Sequence, residues 1–206
     1  MKIYFIITTC IENKYGVRHS EHRKQRYIDS ISSTLKLIEN KENIIPIIVE
    51  NNGTRQTYLN DFNCANVVYT DNNKYNFREK AMNELLDIKH VINKYNINDD
   101  DFVIKLTGRY KVLTDSFVKL VEENAYKYDA FVKFFNVCTL EYMKNDCVLG
   151  FYAIKCKYLK DFNYDCIKSP EVEFATYVRK NIENIKEVEK LYLECCFADN
   201  LRLLYI

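Results

Sequence analysis

The sequence predicts an α/β protein with one central, mostly parallel sheet flanked by helices, on three observations. Short apolar runs too brief for helices, Ile3 to Ile7, Ile44 to Val49 and Phe102 to Ile104, recur along the first half. Segments with apolar residues at helical spacing separate them. Each run ends in polar residues, as expected of buried strands whose carboxyl ends open into a ligand cleft. Strand–helix units in succession require parallel pairing with right-handed crossovers.

Lys2 to Thr9 (KIYFIITT) is rich in β-branched and aromatic residues and reads as the first strand. A polar loop from Glu12 to Gln25 follows, with Gly16 isolated in it and Arg18, His19, His22, Arg23 and Lys24 making it the most basic short stretch. Such a loop is either a solvated face or one that meets phosphate or sugar. Tyr27 to Asn40 places Ile28, Ile31, Leu35 and Ile38 on one helical face. Ile44 to Val49 is the second strand, although Pro46 favours a sheet edge. Glu50-Asn51-Asn52-Gly53 is a turn signal.

Tyr58 to Phe62 predicts a short helix and Val67 to Thr70 a third strand, with Asp71-Asn72-Asn73 capping the next element. Phe77 to Tyr95 is the longest predicted helix, with Phe77, Ala81, Leu85, Ile88, Ile92 and Tyr95 on its stripe. After the central strand come a helix over Asp115 to Asn124 and strands over Ala130 to Val137 and Val148 to Ile154. A polar excursion from Cys138 to Cys147 separates those strands, and Tyr158 to Phe162 is a short helix. Ser169-Pro170-Glu171 opens a last helix, with proline at the first helical position and acids in the first turn. Its inward stripe is Val172, Ala175, Val178 and Ile182.

At 206 residues with no linker, repeat or low-complexity tract, one domain is the expectation. A formal net charge of +1 supplies no global basic field for nucleic acid. The 8 cysteines show no C-x-x-C spacing, and with 3 histidines a zinc site is not expected. No apolar stretch is long enough for a membrane span or a signal core. The expectation is a soluble protein of a reducing compartment, the cytoplasm.

The chemistry concentrates in Asp99 to Leu113 (DDDFVIKLTGRYKVL). A short apolar strand there breaks at Lys105-Leu106-Thr107-Gly108-Arg109-Tyr110, delivering Lys105, Thr107, Arg109 and Tyr110 to the sheet's carboxyl edge. Lys105 and Arg109 together suit a diphosphate. Thr8 and Thr9 end the first strand and Glu50 and Asn51 the second, beside the same edge. Arg23 and Arg26 are placed to meet phosphates, Arg26 alternatively solvating the helix start. Asn83 and Glu84 lie near the first turns of the long helix, off its apolar stripe.

The strand order, together with IKLTGRY, NNG, the upstream NELLDIK, YDAFVKFF and the late PEVEFATYV, resembles small glycosyltransferase-like proteins of the GT-A (Rossmann-like) fold. Such relatives occur in surface-polysaccharide gene sets and large DNA viruses. The resemblance spans essentially the whole chain, KLTGRY being its most specific part. It implies a single domain over 1–206, with residues 1–113 holding a nucleotide-diphosphate sugar and 114–206 meeting a glycan acceptor. The enzyme it implies moves a sugar to a hydroxyl group.

One departure bears on the mechanism. Most GT-A enzymes end the central strand in Asp-x-Asp, which binds a divalent metal bridging the diphosphate. This sequence has Lys105-Leu106-Thr107 there, while Asp99, Asp100 and Asp101 stand at the strand's start, roughly 3.3 Å per residue away. The favoured reading has no cofactor, Lys105 and Arg109 replacing the metal. Mn²⁺ with Asp71 as a loose ligand is the alternative. Inversion at the sugar carbon also needs a carboxylate base. PEVEFATYV offers Glu173, the preferred residue, and Glu171; the structural alternative is that both acids only complement the helix dipole.

Two other classes compete. A non-catalytic nucleotide-sugar-binding relative explains the missing Asp-x-Asp. A nucleotidyltransferase would need a glycine-rich phosphate loop with lysine, for which 4 glycines give no cradle. A methyltransferase fails similarly, because no G-x-G follows the first strand.

Overall fold

The computed structural model describes residues 1–12, 21–75, 77 and 79–206. The first half alternates strand and helix: β1 (Ile3–Thr9), α1 (Glu21–Ile38), β2 (Ile44–Glu50), β3 (Val67–Tyr69), α2 (Lys80–Lys94) and β4 (Phe102–Thr107). The second half holds β5 (Lys111–Val112), α3 (Ser116–Asn124), β6 (Ala130–Val132), β7 (Phe151–Lys155), α4 (Cys156–Asp161), α5 (Pro170–Asn181), β8 (Ile185–Glu187), β9 (Leu193–Cys196) and β10 (Leu203–Tyr205). Single-turn 3₁₀ segments cover Tyr58–Asp61 and Asn72–Lys74.

Seven strands form the central sheet in the order β3-β2-β1-β4-β7-β6-β8. β1 to β4 run parallel, and β7 alone is antiparallel to its neighbours. The expected α/β architecture with a mostly parallel sheet is therefore observed. A small antiparallel sheet, β10-β9-β5, covers one end.

Strand alternation sorts the core into two layers. Phe5, Ile7, Phe102, Ile104 and Leu106 face α1 and α3, joined by Tyr27, Ile31, Phe117 and Val121. Tyr4, Ile6, Val49 and Val103 face α2, α4 and α5, joined by Leu85, Ile88, Val91, Phe174 and Val178. Pro46 pairs with Phe5 of β1, yet β3 contacts β2 only from Ile48 onward. At Pro46 the strand is still an edge, so its missing N–H costs no ladder bond.

Several boundaries differ from expectation. β4 does not break at Lys105 but continues to Thr107, because β1 pairs with it up to Thr8. α1 starts at Glu21, upstream of the predicted Tyr27, and so includes Arg23. The strand expected over Ala130 to Val137 is only Ala130–Val132. On α5 the buried side is Phe174, Ala175 and Val178, with Val172 only half-buried. Among the described residues no helix is long and apolar enough to cross a membrane.

Candidate functional site

The turn after β4 explains its own sequence. Gly108 N–H donates to Thr8 O at 2.8 Å, tying the ends of β1 and β4 together. A Cβ at Gly108 would stand 2.9 Å from Thr9 Cγ2, 3.0 Å from Thr8 O and 3.1 Å from Tyr27 Cε1. Glycine is required here by close approach of two backbones. Tyr110 lies against Gly150, where a Cβ would come within 2.1 Å of its ring.

Around this junction lies a cavity lined by Thr8, Thr9, Cys10, Arg23, Tyr27 and Asn51 on one side. Asn73, Tyr75, Phe77, Lys80, Asn83, Glu84 and Arg109 complete it. It sits at the carboxyl ends of β1 and β2 and the amino end of α2, where open parallel sheets bind ligands. The structure thus brings together seven of the residues expected to bind a donor: Thr8, Thr9, Arg23, Asn51, Asn83, Glu84 and Arg109.

Positive charge dominates this cavity. Arg23 is buried, donates to Cys10 O at 3.0 Å and Tyr27 Oη at 3.2 Å, and lies over the Tyr27 ring. Arg109 donates through Nε to Cys196 O at 3.3 Å, which points the guanidinium from the β4 turn toward β9. Burial first, then the charges of Arg109 and Arg23, push the Lys80 ammonium down to about 8. Two guanidiniums thus stand close enough to depress the Lys80 ammonium, a concentration of positive charge suited to an anion. Tyr75 and Phe77 stack with ring centroids 5.6 Å apart, giving the cavity an aromatic wall.

Other expected ligands serve the scaffold. Lys105 is buried and its ammonium is consumed by Glu84 at 2.5 Å, Thr107 Oγ1 at 2.7 Å and Leu149 O at 3.2 Å. An ammonium has three N–H donors and all are used, which leaves Lys105 none for the diphosphate it was expected to meet. Thr107 is held by that same contact. Glu50 is buried and accepts from Thr9 Oγ1 at 2.6 Å, from Ile11 N–H and from Asn52 Nδ2. Its carboxylate fixes the chain leaving β1 and does not line the cavity. Arg26 does not face the cavity either; it donates to Arg109 O at 2.7 Å and pairs with Glu194.

A buried carboxylate missed in the sequence lies behind Asn51. Asp87 accepts from Asn51 Nδ2 at 2.9 Å, Thr70 Oγ1 at 2.6 Å and Asn72 Nδ2 at 2.7 Å. Burial raises it to about 7 against those three hydrogen bonds. An acid at this position on a buried stripe carries no sequence signal. Cys10, Tyr75 and Lys80 carry no motif, while Tyr27 and Phe77 read as helix residues and Asn73 as a cap; Phe77, expected on the buried stripe of the long helix, instead precedes α2 and lines the cavity.

The two candidate bases separate. Glu173 accepts four backbone N–H groups, from Asp165 at 2.9 Å, Cys166 at 3.3 Å, Ile167 at 2.7 Å and Lys168 at 2.9 Å. Burial opposes its charge, but the four donors outweigh burial and hold the carboxyl below its ordinary value. A carboxylate so saturated is a poor base, which corrects the preference for Glu173. Glu171 behaves oppositely: burial first, and the carboxylates of Asp146 and Glu79, raise it, opposed by its own N–H and by Lys105. Neither acid lines the cation-lined cavity. Glu171 does lie within electrostatic reach of Lys105 and Tyr110.

Asp99 pairs with Lys160 at 2.5 Å and Asp101 accepts from Lys2 N–H at 2.7 Å, both at the start of β4 and away from the cavity. Asp71 pairs with Lys74 at 2.6 Å. Among the described residues no group of three or more His, Cys, Asp or Glu is placed to hold a metal. Gly16, Arg18 and His19 of the basic loop lie outside the described residues.

No protein-family model and no curated protein sequence matches the chain. Solved structures do resemble it. One is the bifunctional IspDF of Campylobacter jejuni, at 13% identity and TM-score 0.57, covering 99% of this chain and 52% of that one. Another, from Desulfovibrio desulfuricans, is assigned as a nucleotide-diphospho-sugar transferase, at 10% identity and TM-score 0.56, covering 91% and 80%. A third is a cytidylyltransferase from Leptospira borgpetersenii, at 14% identity and TM-score 0.52, covering 93% and 78%. At such identities the likeness establishes the fold.

Proposed function

We propose that the protein is a transferase that moves a sugar from a nucleotide-diphosphate donor to a hydroxyl group of a glycan acceptor. The observation that carries this reading is the convergence of Arg23, Lys80 and Arg109 on one cavity at the carboxyl ends of β1 and β2. A diphosphate carries the opposite charge, and the guanidinium fork matches its oxygens. The stacked Tyr75 and Phe77 offer an apolar face for a base or sugar ring, and Asn51, Asn73 and Asn83 supply amides for its polar edge.

In this reading the side-chain cations do the work that a divalent ion does elsewhere in the fold. They bind the diphosphate and stabilise the charge that builds on it as the bond from phosphate oxygen to sugar carbon breaks. Glu171 takes the base role in place of Glu173. Its raised carboxyl is suited to accept the acceptor's hydroxyl proton as that oxygen bonds to the sugar carbon. The products are the extended acceptor and a free nucleoside diphosphate. Inversion follows from attack opposite the leaving group.

Calorimetric titration of nucleoside diphosphates in EDTA tests the donor site. Binding should persist under chelation, and Arg109→Ala should weaken it by about 1.5–3 kcal/mol, the worth of a hydrogen bond to a charged group. Arg109→Lys should restore only part. Binding that appears only with added Mn²⁺ overturns the cationic mechanism. Pyrophosphate release from a nucleoside triphosphate, in place of diphosphate release from a nucleotide sugar, would make the protein a nucleotidyltransferase.

A further inference from the structure

A second hollow adjoins the first. Phe77 lines both, and beyond it the walls are Glu79, Met82 and the loop Cys166 to Ser169. Ile167 and Lys168 of that loop also border a third hollow, lined by Asn163, Asp165, Thr176, Tyr177 and Lys180. Phe77 thus stands between the first hollow and the second, and Ile167 and Lys168 between the second and the third, a row of hollows, called the trough below, that leads from the cations to α5. Ile167, 83% exposed, stands on its rim. The walls mix apolar faces with amide, hydroxyl and charged groups, the composition that meets the two-sided chemistry of a sugar ring.

The loop is held by one side chain. All four successive N–H groups from Asp165 to Lys168 converge on the Glu173 carboxylate. Cys166 at their centre has a positive φ of 61°, a conformation rarely adopted by a side-chain-bearing residue. Four donors on one carboxylate impose the loop's shape where regular secondary structure does not.

We propose that this trough is the acceptor subsite, taking an oligosaccharide across Phe77 and Ile167, and that Glu173 is the positioning residue that shapes its outer wall. The assignment of an acceptor rests on the glycosyl-transfer reading above; saccharide binding in the trough can be measured without turnover.

Cys166 lines the second hollow and is exposed, while exposed Cys138 lies outside all three hollows and serves as an internal reference. Iodoacetamide alkylation of the full chain, read peptide by peptide by mass spectrometry, reports occupancy. The probes are neutral, N-acetylated and acidic oligosaccharides, each with and without a nucleoside diphosphate whose own binding is followed by thermal shift. At roughly ten times its dissociation constant, at least one oligosaccharide should slow Cys166 alkylation by about tenfold, Cys138 being unchanged. Glu173→Gln should abolish that protection and speed hydrogen exchange at residues 165–168, with nucleotide binding intact. Ile167→Asp, at an exposed position that cannot threaten folding, should also abolish protection. Nucleotide binding without saccharide protection of Cys166 overturns the subsite, and full protection in Glu173→Gln overturns the positioning role. If no nucleotide binds, it is the donor reading that fails, and saccharide protection still decides this one.

Discussion

The Glu84 carboxylate lies 2.5 Å from the Lys105 ammonium, an ion pair struck between the long helix α2 and the middle of the central strand β4. The pair is asymmetric: the Lys105 side chain is 3% exposed and the Glu84 side chain 24%. Removing either partner strands the other, and the penalty falls on the one that water cannot reach. Glu84→Gln should therefore destabilise by about 2–3 kcal/mol, leaving a buried ammonium short of its counter-charge. Lys105→Met should cost about 1 kcal/mol, because Glu84 can turn to solvent. Urea titrations of the two variants measure the order. If Lys105→Met leaves stability unchanged but abolishes diphosphate binding, Lys105 is a ligand after all.

Gly108 makes a prediction about geometry. An alanine there must displace Thr8 O and Tyr27, both part of the frame, so Gly108→Ala should cost about 1–3 kcal/mol. Because Thr8, Thr9 and Tyr27 also line the cation-lined cavity, nucleotide affinity should fall with stability. A fully stable Gly108→Ala protein with unchanged affinity would show that β1 and β4 can part without consequence.

Asp87 gives a stability signature in acid. Its carboxyl is raised to about 7 in the folded protein from 3.8, so the folded state holds a proton that the unfolded state has released between those values. This contribution is fully present below about 4 and is lost as pH rises through about 7. Asp87→Asn cannot titrate and should remove that component. The check is the urea midpoint from pH 4 to 8: wild type should lose stability relative to Asp87→Asn as pH rises. Parallel curves would mean that the three hydrogen bonds, and not burial, set the charge of Asp87.

What the sequence makes legible here is continuous apolar pattern and polar strand ends. Ile3–Thr9 and Ile44–Glu50 are buried strands with little else to be, and the residues that end them do meet at one cavity. The late strands Ile185–Glu187, Leu193–Cys196 and Leu203–Tyr205 are too short and too mixed in polarity to show a period. Side-chain roles were harder still. Lys105 and Arg109 are equivalent as residue types beside a glycine, and only register and the position of Glu84 make one a buried strut and the other a cavity wall. Glu171 and Glu173 differ by two positions on one helix. Their roles diverge because a loop with no local pattern brings four N–H groups to Glu173 alone.

Lys80 ties ligand binding to pH. Burial, Arg109 and Arg23 push its ammonium from 10.5 down to about 8. The stability linked to this depression is present above about 10.5 and is lost as pH falls through about 8, where the folded protein must accept a third crowded cation. A bound diphosphate reverses the balance, since its charge favours the ammonium. Above pH 8 binding must then take up a proton, and affinity should weaken by at most about tenfold per pH unit. Below about 7.5 Lys80 is already charged and affinity should be level, provided the terminal phosphate of the ligand, with a pKa of about 6, stays ionised. Lys80→Arg keeps its charge throughout and should flatten the profile between pH 7.5 and 9.5, while Lys80→Met should weaken binding at pH 7 and flatten it too. Calorimetry in buffers of different ionisation enthalpy counts the protons taken up. If wild type and Lys80→Arg weaken in parallel across that range, the anion does not meet Lys80, and the diphosphate must lie between Arg23 and Arg109 alone.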